Sequence, residues 1–316
     1  MSEGLQTIGI DVGGTKTAAV RISASGAVLA RETLPTPADD MQATLETTVR
    51  AARAVLTPGV RAIGIGAAGL VEAGTGRLTF APNLAWRNVS LVEHMWAAVG
   101  LPTIADNDNN VAAWAEFRLG AGRGRSHLLF VGVGTGIGGG IVADGKLFRG
   151  AHGFAAEIGH IVVEPGGPLC GCGNHGCWEQ VASGHAVTRA GREAARQHPQ
   201  SMIARRCEGD PARVTGPLVT ECARAGDPVA RGILAQVGRR LGEGIAGLVN
   251  VLDPEVVAVG GGVAAAGEFL LEPARAAFVG AVEAAAHRPA VPIVGATLGT
   301  ETGAIGAAML ALDELT

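Results

Sequence analysis

The sequence predicts an α/β protein made of two related halves, and two observations support that prediction. Each half opens with an apolar strand, a glycine-rich turn, a second strand, a second turn and a third strand. The first half reads I-G-I-D-V-G-G-T-K-T-A-A-V before a Ser25-Gly26 turn, and the second reads F-V-G-V-G-T-G-I-G-G-G-I-V before an Asp144-Gly145 turn. Amphipathic helical patterns follow these strands in both halves. Because the unit is long and occurs only twice, the repeat indicates two α/β halves and not a solenoid.

In the first half, turn and cap residues predict where the elements begin and end. Asp40 is placed to cap a helix whose apolar residues recur on one face. A strand over residues 61–66 ends in an A-A-G turn, and an irregular segment containing A-P-N-L-A-W follows. Ser90 and Glu93 have the spacing of a capping box for a second helix. A short strand then ends in N-D-N-N, residues 107–110, where a third helix is expected to begin.

The second half continues the alternation of strands and helices. Its predicted elements are a strand over residues 128–134, a helix from about His185, a polar arginine-rich loop near 199–214, a long helix after Asp227, a strand V-V-A-V that ends in a glycine run and opens an alanine-rich helix, a last strand V-P-I-V, and a terminal helix from about Glu301. The long helix is the most regular of these, because its apolar residues recur every three to four positions until Asp253-Pro254 stops it.

Composition excludes several classes of function. The chain has 316 residues, 47% of them hydrophobic, which suits a well-buried globular protein of one or two domains. Its net charge is −4 and its Lys and Arg residues are dispersed, so we expect no nucleic-acid partner. The sequence has no apolar run of the ~18 residues that a membrane span needs, and no basic region opens a signal peptide. Five cysteines, three of them clustered, favour a reducing compartment, so we expect a cytoplasmic protein without a membrane partner.

The clustered cysteines predict a metal site. Cys170, Cys172 and Cys177 follow His160 within a glycine-rich stretch that reads C-G-C-G-N-H-G-C-W-E at its end. Three thiolates and one imidazole make a complete tetrahedral set for Zn²⁺, and a closed set of four protein ligands is typical of a structural zinc. The alternative is three unrelated buried thiols in a glycine-rich loop, which the tight C-x-C-x4-C spacing disfavours.

The glycine-rich turns predict a phosphate-binding function. Such turns expose successive backbone N–H groups that can hold phosphate oxygens, and their alternative is a pair of ordinary hairpins. Two turns in corresponding positions and a third glycine run at a strand-to-helix junction favour a bound nucleotide. The residues concerned are Gly13, Gly14, Thr15 and Lys16 in the first turn, Gly134, Thr135, Gly136 and Gly138 in the second, and Gly260, Gly261 and Gly262 in the third. Asp11, beside the first turn, is placed to hold Mg²⁺ next to the phosphates, although it could equally be a plain turn residue.

Polar residues elsewhere predict a site for a substrate with several hydroxyl groups. Asp108 lies at the start of a helix and either caps it or accepts the proton of a hydroxyl during phosphoryl transfer. Asn107 and Asn83 are candidate hydrogen-bonding partners of a sugar, although Asn83 also fits a simple Pro–Asn turn. Glu157, His160 and Glu179 flank the cysteine cluster, and a metal there would fix their positions. The same His160 is thus a candidate for both zinc and substrate.

Taken together, these motifs resemble the ROK family of sugar kinases and repressors, within the actin-like/hexokinase ATPase superfamily. The motifs D-V-G-G-T-K, N-D-N-N, G-T-G-I-G-G-G, E-I-G-H, C-G-C-G-N-H-G-C-W-E and G-G-G-V occur in that order across nearly the whole chain. The resemblance implies two α/β domains around an interdomain cleft, with residues 1–115 and 302–316 in the small domain and 116–301 in the large one. It also implies zinc on His160 and the three cysteines, a sugar on Asn107, Asp108, Glu157, His160 and Glu179, and ATP on the glycine turns.

The resemblance implies a specific reaction, with alternatives left open. The cysteine run is most similar to that of the family's glucokinases, so we expect ATP-dependent phosphorylation of glucose to glucose 6-phosphate with Asp108 as general base. Val181 stands where those enzymes often have an aromatic residue, so N-acetylglucosamine, mannose or fructose are alternative substrates, and polyphosphate is an alternative donor.

Non-enzymatic readings are disfavoured by particular features. Repressors of the family carry an N-terminal DNA-binding domain, whereas this chain begins at the first ATPase strand, which disfavours a sugar-sensing regulator. The cysteine cluster has no place in an actin-like filament or chaperone ATPase. Family members are commonly oligomeric, so we expect a homodimer or homotetramer.

Overall fold

The computed structural model describes residues 4–81 and 84–316, and the chain forms two compact units. The first unit consists of the chain up to Phe130 together with Gly140–Ala156 and Ala296–Thr316. The second consists of Val131–Gly139 and Glu157–Gly295. The chain therefore enters each unit more than once, as expected when the terminal helix returns to the first half.

Up to Leu119 the described elements alternate between strands and helices. They are β1 (Gln6–Val12), β2 (Lys16–Ser23), β3 (Val28–Pro35), α1 (Met41–Val55), β4 (Val60–Ala67), β5 (Leu70–Val71), β6 (Arg77–Phe80), β7 (Arg87–Ser90), α2 (Leu91–Val99), β8 (Thr103–Asn107) and α3 (Asp108–Leu119). Asp40 caps α1 as predicted, since its side chain accepts a hydrogen bond from the backbone of Ala43. The predicted capping box at Ser90 is wrong, because α2 begins there without a side-chain cap.

From Leu128 onward the chain again opens with a hairpin. Its elements are β9 (Leu128–Val133), β10 (Ile137–Ala143), β11 (Lys146–Leu147), α4 (Glu179–Ala182), α5 (Gly184–Gln197), α6 (Met202–Arg206), α7 (Gly216–Arg224), α8 (Pro228–Leu252), β12 (Val256–Gly260), α9 (Glu268–Ala281), β13 (Ile293–Gly295) and α10 (Thr302–Leu315). The long helix predicted after Asp227 is α8, and Asp227 is its N-cap.

Two five-stranded sheets confirm the predicted relation between the halves. The first has the order β3-β2-β1-β4-β8 and the second the order β11-β10-β9-β12-β13. In the first sheet β1 is antiparallel to β2 and parallel to β4, which is parallel to β8. Since the carboxyl ends of parallel strands meet at one edge, the residues that follow β1, β4 and β8 lie at the same edge of the first sheet.

Two segments differ from the sequence-based expectation. The segment predicted to be irregular after β4 forms a small antiparallel sheet of β5, β6 and β7, around the buried side chains of Leu78 and Trp86. Its strands have only two to four residues, too few to show alternation in the sequence. The loop predicted near 199–214 contains α6, which Ser201 caps, and a short 3-10 helix, Pro211–Arg213.

The terminal helix α10 packs against the first sheet through glycines. A Cβ atom on Gly64 of β4 would lie 1.8 Å from the carbonyl oxygen of Ala307, so only glycine allows this approach. Gly306 of α10 allows a second close approach, since a Cβ there would lie 1.8 Å from the carbonyl oxygen of Val111 in α3. The edge of the first sheet and the start of α3 are thereby held in one rigid layer.

We expect Gly64→Ala to lower the free energy of unfolding by at least about 3 kcal/mol, because the added methyl group forces α10 away from β4. Urea unfolding monitored by circular dichroism measures this loss. Gly247→Ala is the matched control, since Gly247 is exposed in the middle of α8 with open space around its Cβ position. That control should raise stability by roughly 0.5–1 kcal/mol, and equal effects of the two substitutions would contradict the packing argument.

Candidate active site and metal site

At the edge of the first sheet, Asp11 and Asp108 are two carboxyl groups that influence each other. Burial and the negative charge of Asp108 raise the pKa of Asp11 to about 7, and the positive charge of Lys16 acts in the opposite direction. Burial also raises the pKa of Asp108, against hydrogen bonds from Asn109 that lower it. Two carboxylates that disfavour each other's charge are a favourable place for a divalent cation or for a proton acceptor.

Asn107, and not Asp108, is the N-cap of α3. Its Oδ1 accepts hydrogen bonds from the backbone N–H groups of Asn109, at 2.8 Å, and Asn110, at 3.2 Å. Its amide nitrogen donates to the carbonyl oxygen of Gly69, at 3.0 Å, in the turn after β4. Asp108 therefore lies in the first helical turn, where its Oδ1 accepts from the side chain of Asn109 at 2.9 Å. The side chain of Asn107 also hydrogen-bonds the Asp108 carboxylate, which acts to lower the pKa of Asp108.

The first glycine turn joins β1 and β2 next to Asp11. The turn is closed by a hydrogen bond of 3.0 Å from the backbone N–H of Gly13 to the carbonyl oxygen of Lys16, and Gly14 and Thr15 lie between them. A backbone of this kind presents N–H groups toward the space beside a carboxylate. The first unit thus brings together Asp11, the first glycine turn and Asp108.

The predicted zinc ligands lie close together in the second unit. The ligand atoms of His160, Cys170, Cys172 and Cys177 are all within 4.8 Å of one another. The Sγ atoms of Cys172 and Cys177 are 3.6 Å apart, and Cys170 Sγ lies 3.6 Å from Nδ1 of His160. A tetrahedral Zn²⁺ with Zn–S near ~2.3 Å and Zn–N near ~2.0–2.1 Å requires separations of about 3.5–3.8 Å. The four residues therefore fit zinc in both chemistry and spacing.

Glu179 joins the cysteine cluster to the second glycine turn. Its Oε1 accepts a hydrogen bond from Cys170 Sγ at 2.9 Å, and its Oε2 accepts from the backbone N–H of Ile137 at 3.4 Å. A Cβ on Gly136 would lie 2.2 Å from Oε2, so a side chain at position 136 would displace the Glu179 carboxylate. Glu179 is also only two residues beyond Cys177, so a metal that holds Cys177 would restrain the backbone that carries this carboxylate.

Several backbone contacts hold the second and third glycine runs. The carbonyl oxygens of Gly134 and Thr135 accept hydrogen bonds from the first residues of α5, at 2.9 and 3.1 Å. Gly138 belongs to β10. Gly260 ends β12, Gly261 has a φ of +85°, and Gly262 begins the 3-10 helix that precedes α9. The third run is thus at a strand-to-helix junction, as predicted.

Glu157 precedes the short 3-10 helix Ile158–His160, and its carbonyl oxygen accepts the backbone N–H of His160 at 3.1 Å. The indole of Trp178 is buried, and its Nε1 donates to the carbonyl oxygen of Arg240 in α8 at 2.9 Å. This bond holds Trp178, which lies between Cys177 and Glu179, against α8.

Asn83, which is also a predicted sugar ligand, lies outside the described residues.

Sequence reasoning missed Asp106 and Arg149. Asp106 is 4% exposed, and its Oδ2 accepts a hydrogen bond of 2.6 Å from Nε of Arg149. No local sequence pattern links these two residues, because they lie 43 positions apart in the chain. An aspartate at the end of an apolar strand, two residues before Asp108, was the only available signal.

The chain is similar to characterised proteins over nearly its full length. The sequence profile of the ROK family matches residues 7–314. A glucokinase of Streptomyces coelicolor is 39% identical over 311 residues, covering 97% of this chain and 98% of that protein. An N-acetylmannosamine kinase of Escherichia coli is 33% identical over 311 residues, covering 98% of this chain and 99% of that protein.

A solved structure gives the corresponding result for the fold. The crystal structure of a ROK family glucokinase from Streptomyces griseus in complex with glucose and AMPPNP has a TM-score of 0.89 and 39% identity, and the match covers 98% of this chain and 99% of that one. The similarity confirms the predicted actin-like/hexokinase fold. No helix in the described part of the chain is both long and apolar enough to span a membrane.

Proposed function

Because this chain belongs to the ROK family, we propose that it is a hexose kinase that transfers the γ-phosphoryl group of ATP to the 6-hydroxyl of glucose. The observation that carries the proposal is the position of the Asp108 carboxylate. Asn107 caps α3, so Asp108 is not needed as the cap, and Asp108 lies at the same sheet edge as Asp11 and the first glycine turn. The glucose and AMPPNP bound in the Streptomyces griseus relative support glucose and ATP as the substrates.

In this proposal Asp108 accepts the proton of the attacking hydroxyl group. A carboxylate with a raised pKa is a stronger base than an ordinary aspartate. Asn109 holds Oδ1 of this carboxylate in place. The sugar would be held by Asn107, Asp108, Glu157, His160 and Glu179, whose carboxylate, amide and imidazole groups match the donors and acceptors of a hexose.

The phosphate groups of the donor are assigned to the two glycine turns. Backbone N–H groups around Gly13, Gly14 and Thr15, with Lys16, and around Gly134, Thr135, Gly136 and Gly138 would neutralise the charge that develops on the γ-phosphoryl group. Gly260, Gly261 and Gly262 are the proposed adenosine contact. Asp11 would hold Mg²⁺, which supplies positive charge at the phosphates when it is bound.

The metal site has a structural role in this proposal. Zn²⁺ held by His160, Cys170, Cys172 and Cys177 has four protein ligands and would supply cross-linking. The metal would contribute to the reaction by positioning Glu179 and His160. Because Nδ1 of His160 faces Cys170, its Nε2 is left for the sugar. We also propose that the protein is a cytoplasmic homodimer or homotetramer.

A coupled assay of ADP release with a panel of hexoses tests the proposal. We expect the highest kcat/KM with glucose and ATP, and polyphosphate should not replace ATP. N-acetylmannosamine belongs in the panel beside N-acetylglucosamine, mannose and fructose, because an N-acetylmannosamine kinase matches this chain over its full length. A preference for one of these would replace glucose within the same reaction, and no ADP release with any hexose would overturn the proposal.

We expect Asp11→Asn to stabilise the metal-free protein more at pH 8 than at pH 5. The pKa of Asp11 is raised from 3.8 to about 7, so between those values the folded chain holds a proton that the unfolded chain releases. Folding stability from this group is therefore full below pH 4 and is lost as the pH rises toward 7. Because most of this loss falls between pH 5 and pH 7, the gain of the variant at pH 8 should exceed its gain at pH 5 by on the order of 2 kcal/mol.

Urea unfolding of both proteins at the two pH values measures this difference. Adding Mg²⁺ at pH 8 should stabilise the wild type and leave Asp11→Asn unchanged, because the variant lacks the proposed ligand. An identical pH dependence of the two proteins would show that the pKa of Asp11 is not raised by folding.

A further inference from the structure

We propose that Arg149 is a positioning residue for the phosphoryl-transfer reaction, acting through the buried carboxylate of Asp106 on the turn that carries Asp108. The inference rests on the proposed kinase function and adds a residue to it. All of its contacts lie within the first unit.

Asp106 ties together both ends of the N-D-N-N turn. Its Oδ1 accepts a hydrogen bond of 2.7 Å from the backbone N–H of Asn107 and another of 2.8 Å from the side-chain amide of Asn110. Asn107 is the cap of α3 and Asn110 lies in its first turn, so Asp106 spans the two residues between them, Asp108 and Asn109. Moving this carboxylate would rotate the start of the helix and with it the proposed base.

Arg149 neutralises and orients this carboxylate. Its Nε donates to Asp106 Oδ2 at 2.6 Å, and its Nη2 donates to Oε1 of Glu314, near the end of α10, at 2.7 Å. The Asp106 side chain is only 5% exposed, so its charge requires a fixed partner. Because the guanidinium is planar and two of its nitrogens, Nε and Nη2, are hydrogen-bonded, its position fixes the direction of Asp106 Oδ2.

The backbone that carries Arg149 is itself held in place. Its carbonyl oxygen accepts a hydrogen bond from the backbone N–H of Ala155 at 3.1 Å, and the carbonyl oxygen of His152 accepts from the backbone N–H of Ala73 at 3.0 Å. The segment is thus anchored to the turn between β5 and β6 before the ion pair is made. Reaction rates are sensitive to misplacements of about 1 Å, which can cost ~10²-fold.

A purely stabilising ion pair is the competing interpretation, and a charge-removing double variant separates the two. In Arg149→Met the carboxylate of Asp106 is left without its cation, so both stability and turnover should fall. In Asp106→Asn/Arg149→Met the amide oxygen can still accept the bonds from Asn107 and Asn110, and no buried charge is left unpaired. The double variant should therefore regain thermal stability, but the link that fixes the turn to residue 149 stays absent.

We expect Arg149→Met to lower kcat roughly 10- to 100-fold while KM for ATP changes less than about threefold, and Arg149→Lys, which keeps the charge without the planar fork, to recover only part of the loss. The double variant should recover its melting temperature without recovering kcat. Arg213→Met is the matched control, since Arg213 forms an exposed pair with Glu208 in the second unit. A wild-type kcat in Arg149→Met, or a double variant in which kcat returns together with stability, would overturn the inference.

Hydrogen–deuterium exchange gives a readout that does not depend on activity. Exchange at residues 107–112 should be faster in Arg149→Met and in the double variant than in wild type, while exchange in β9 stays unchanged. Unchanged protection at 107–112 would overturn the positioning role even if the wild-type protein phosphorylated no hexose. Absence of wild-type turnover with faster exchange in the variants would count against the proposed function alone.

Discussion

Asp108→Asn is expected to lower kcat for glucose phosphorylation by 10²- to 10⁴-fold, because the amide cannot accept the proton of the hydroxyl group. Folding should be retained, since burial already disfavours the charged carboxyl group and raises its pKa. The Asn109 contact is to Oδ1, which an asparagine preserves. Initial rates in the ADP-release assay, with melting temperatures and zinc content, measure the effect.

The pH profile of the wild type supplies a second measure of the same group. The active form is the deprotonated carboxylate, so kcat should fall as the pH is lowered, and the raised pKa places this fall above the range of an ordinary aspartate. Asp144→Asn is the matched control, because the side chain of Asp144 is 90% exposed and its positive φ suits asparagine. Near-normal turnover of Asp108→Asn would refute the assignment of the base.

Loss of the metal site is expected to weaken sugar binding at least about tenfold, with a change of less than about threefold in nucleotide affinity. Cys177→Ser removes a buried ligand two residues before Glu179, so the metal no longer restrains the backbone that carries this carboxylate. The effect on nucleotide should be smaller, because Glu179 reaches the second glycine turn through only one long hydrogen bond, to Ile137. Calorimetric titrations with glucose and with AMPPNP measure the two affinities.

Cys222→Ser is the control for this variant. Cys222 and Cys177 are both fully buried, so the two substitutions place the same hydroxyl group in the interior, but Cys222 lies on α7 outside the metal cluster. It should retain one zinc per chain and wild-type affinity for glucose. If Cys177→Ser lacks zinc but binds glucose with unchanged affinity, the metal site has no effect on sugar binding. If the two variants have equal effects, the cause is a packing defect and not loss of the metal.

Structural features that depend only on residues close together in the chain could be predicted from the sequence. The two glycine hairpins, the caps of α1 and α8 and the cysteine spacing are local, because turn chemistry, helix periodicity and short ligand spacings are written within about 20 residues. The small sheet β5–β7 could not be predicted in this way, since strands of two to four residues carry too short a pattern.

Which polar groups are buried together depends on tertiary packing. Glu116 is fully buried, and its described hydrogen bonds come from uncharged groups. Its carboxylate accepts the backbone N–H groups of Ala121, Thr297 and Leu298 at 2.8 to 3.0 Å. Nothing near position 116 in the sequence indicates a partner about 180 residues away, because such a pairing arises from packing.

The same reason applies to the site. The motif D-V-G-G-T-K identified Asp11, but the sequence does not state its pKa, which depends on burial and on the charge of Asp108, 97 positions later in the chain. The motif N-D-N-N identified Asp108 but left open which residue caps α3, and the structure assigns the cap to Asn107. Residue identity thus named the candidate groups, whereas desolvation and through-space charge, which exist only in the folded chain, decided their chemical state.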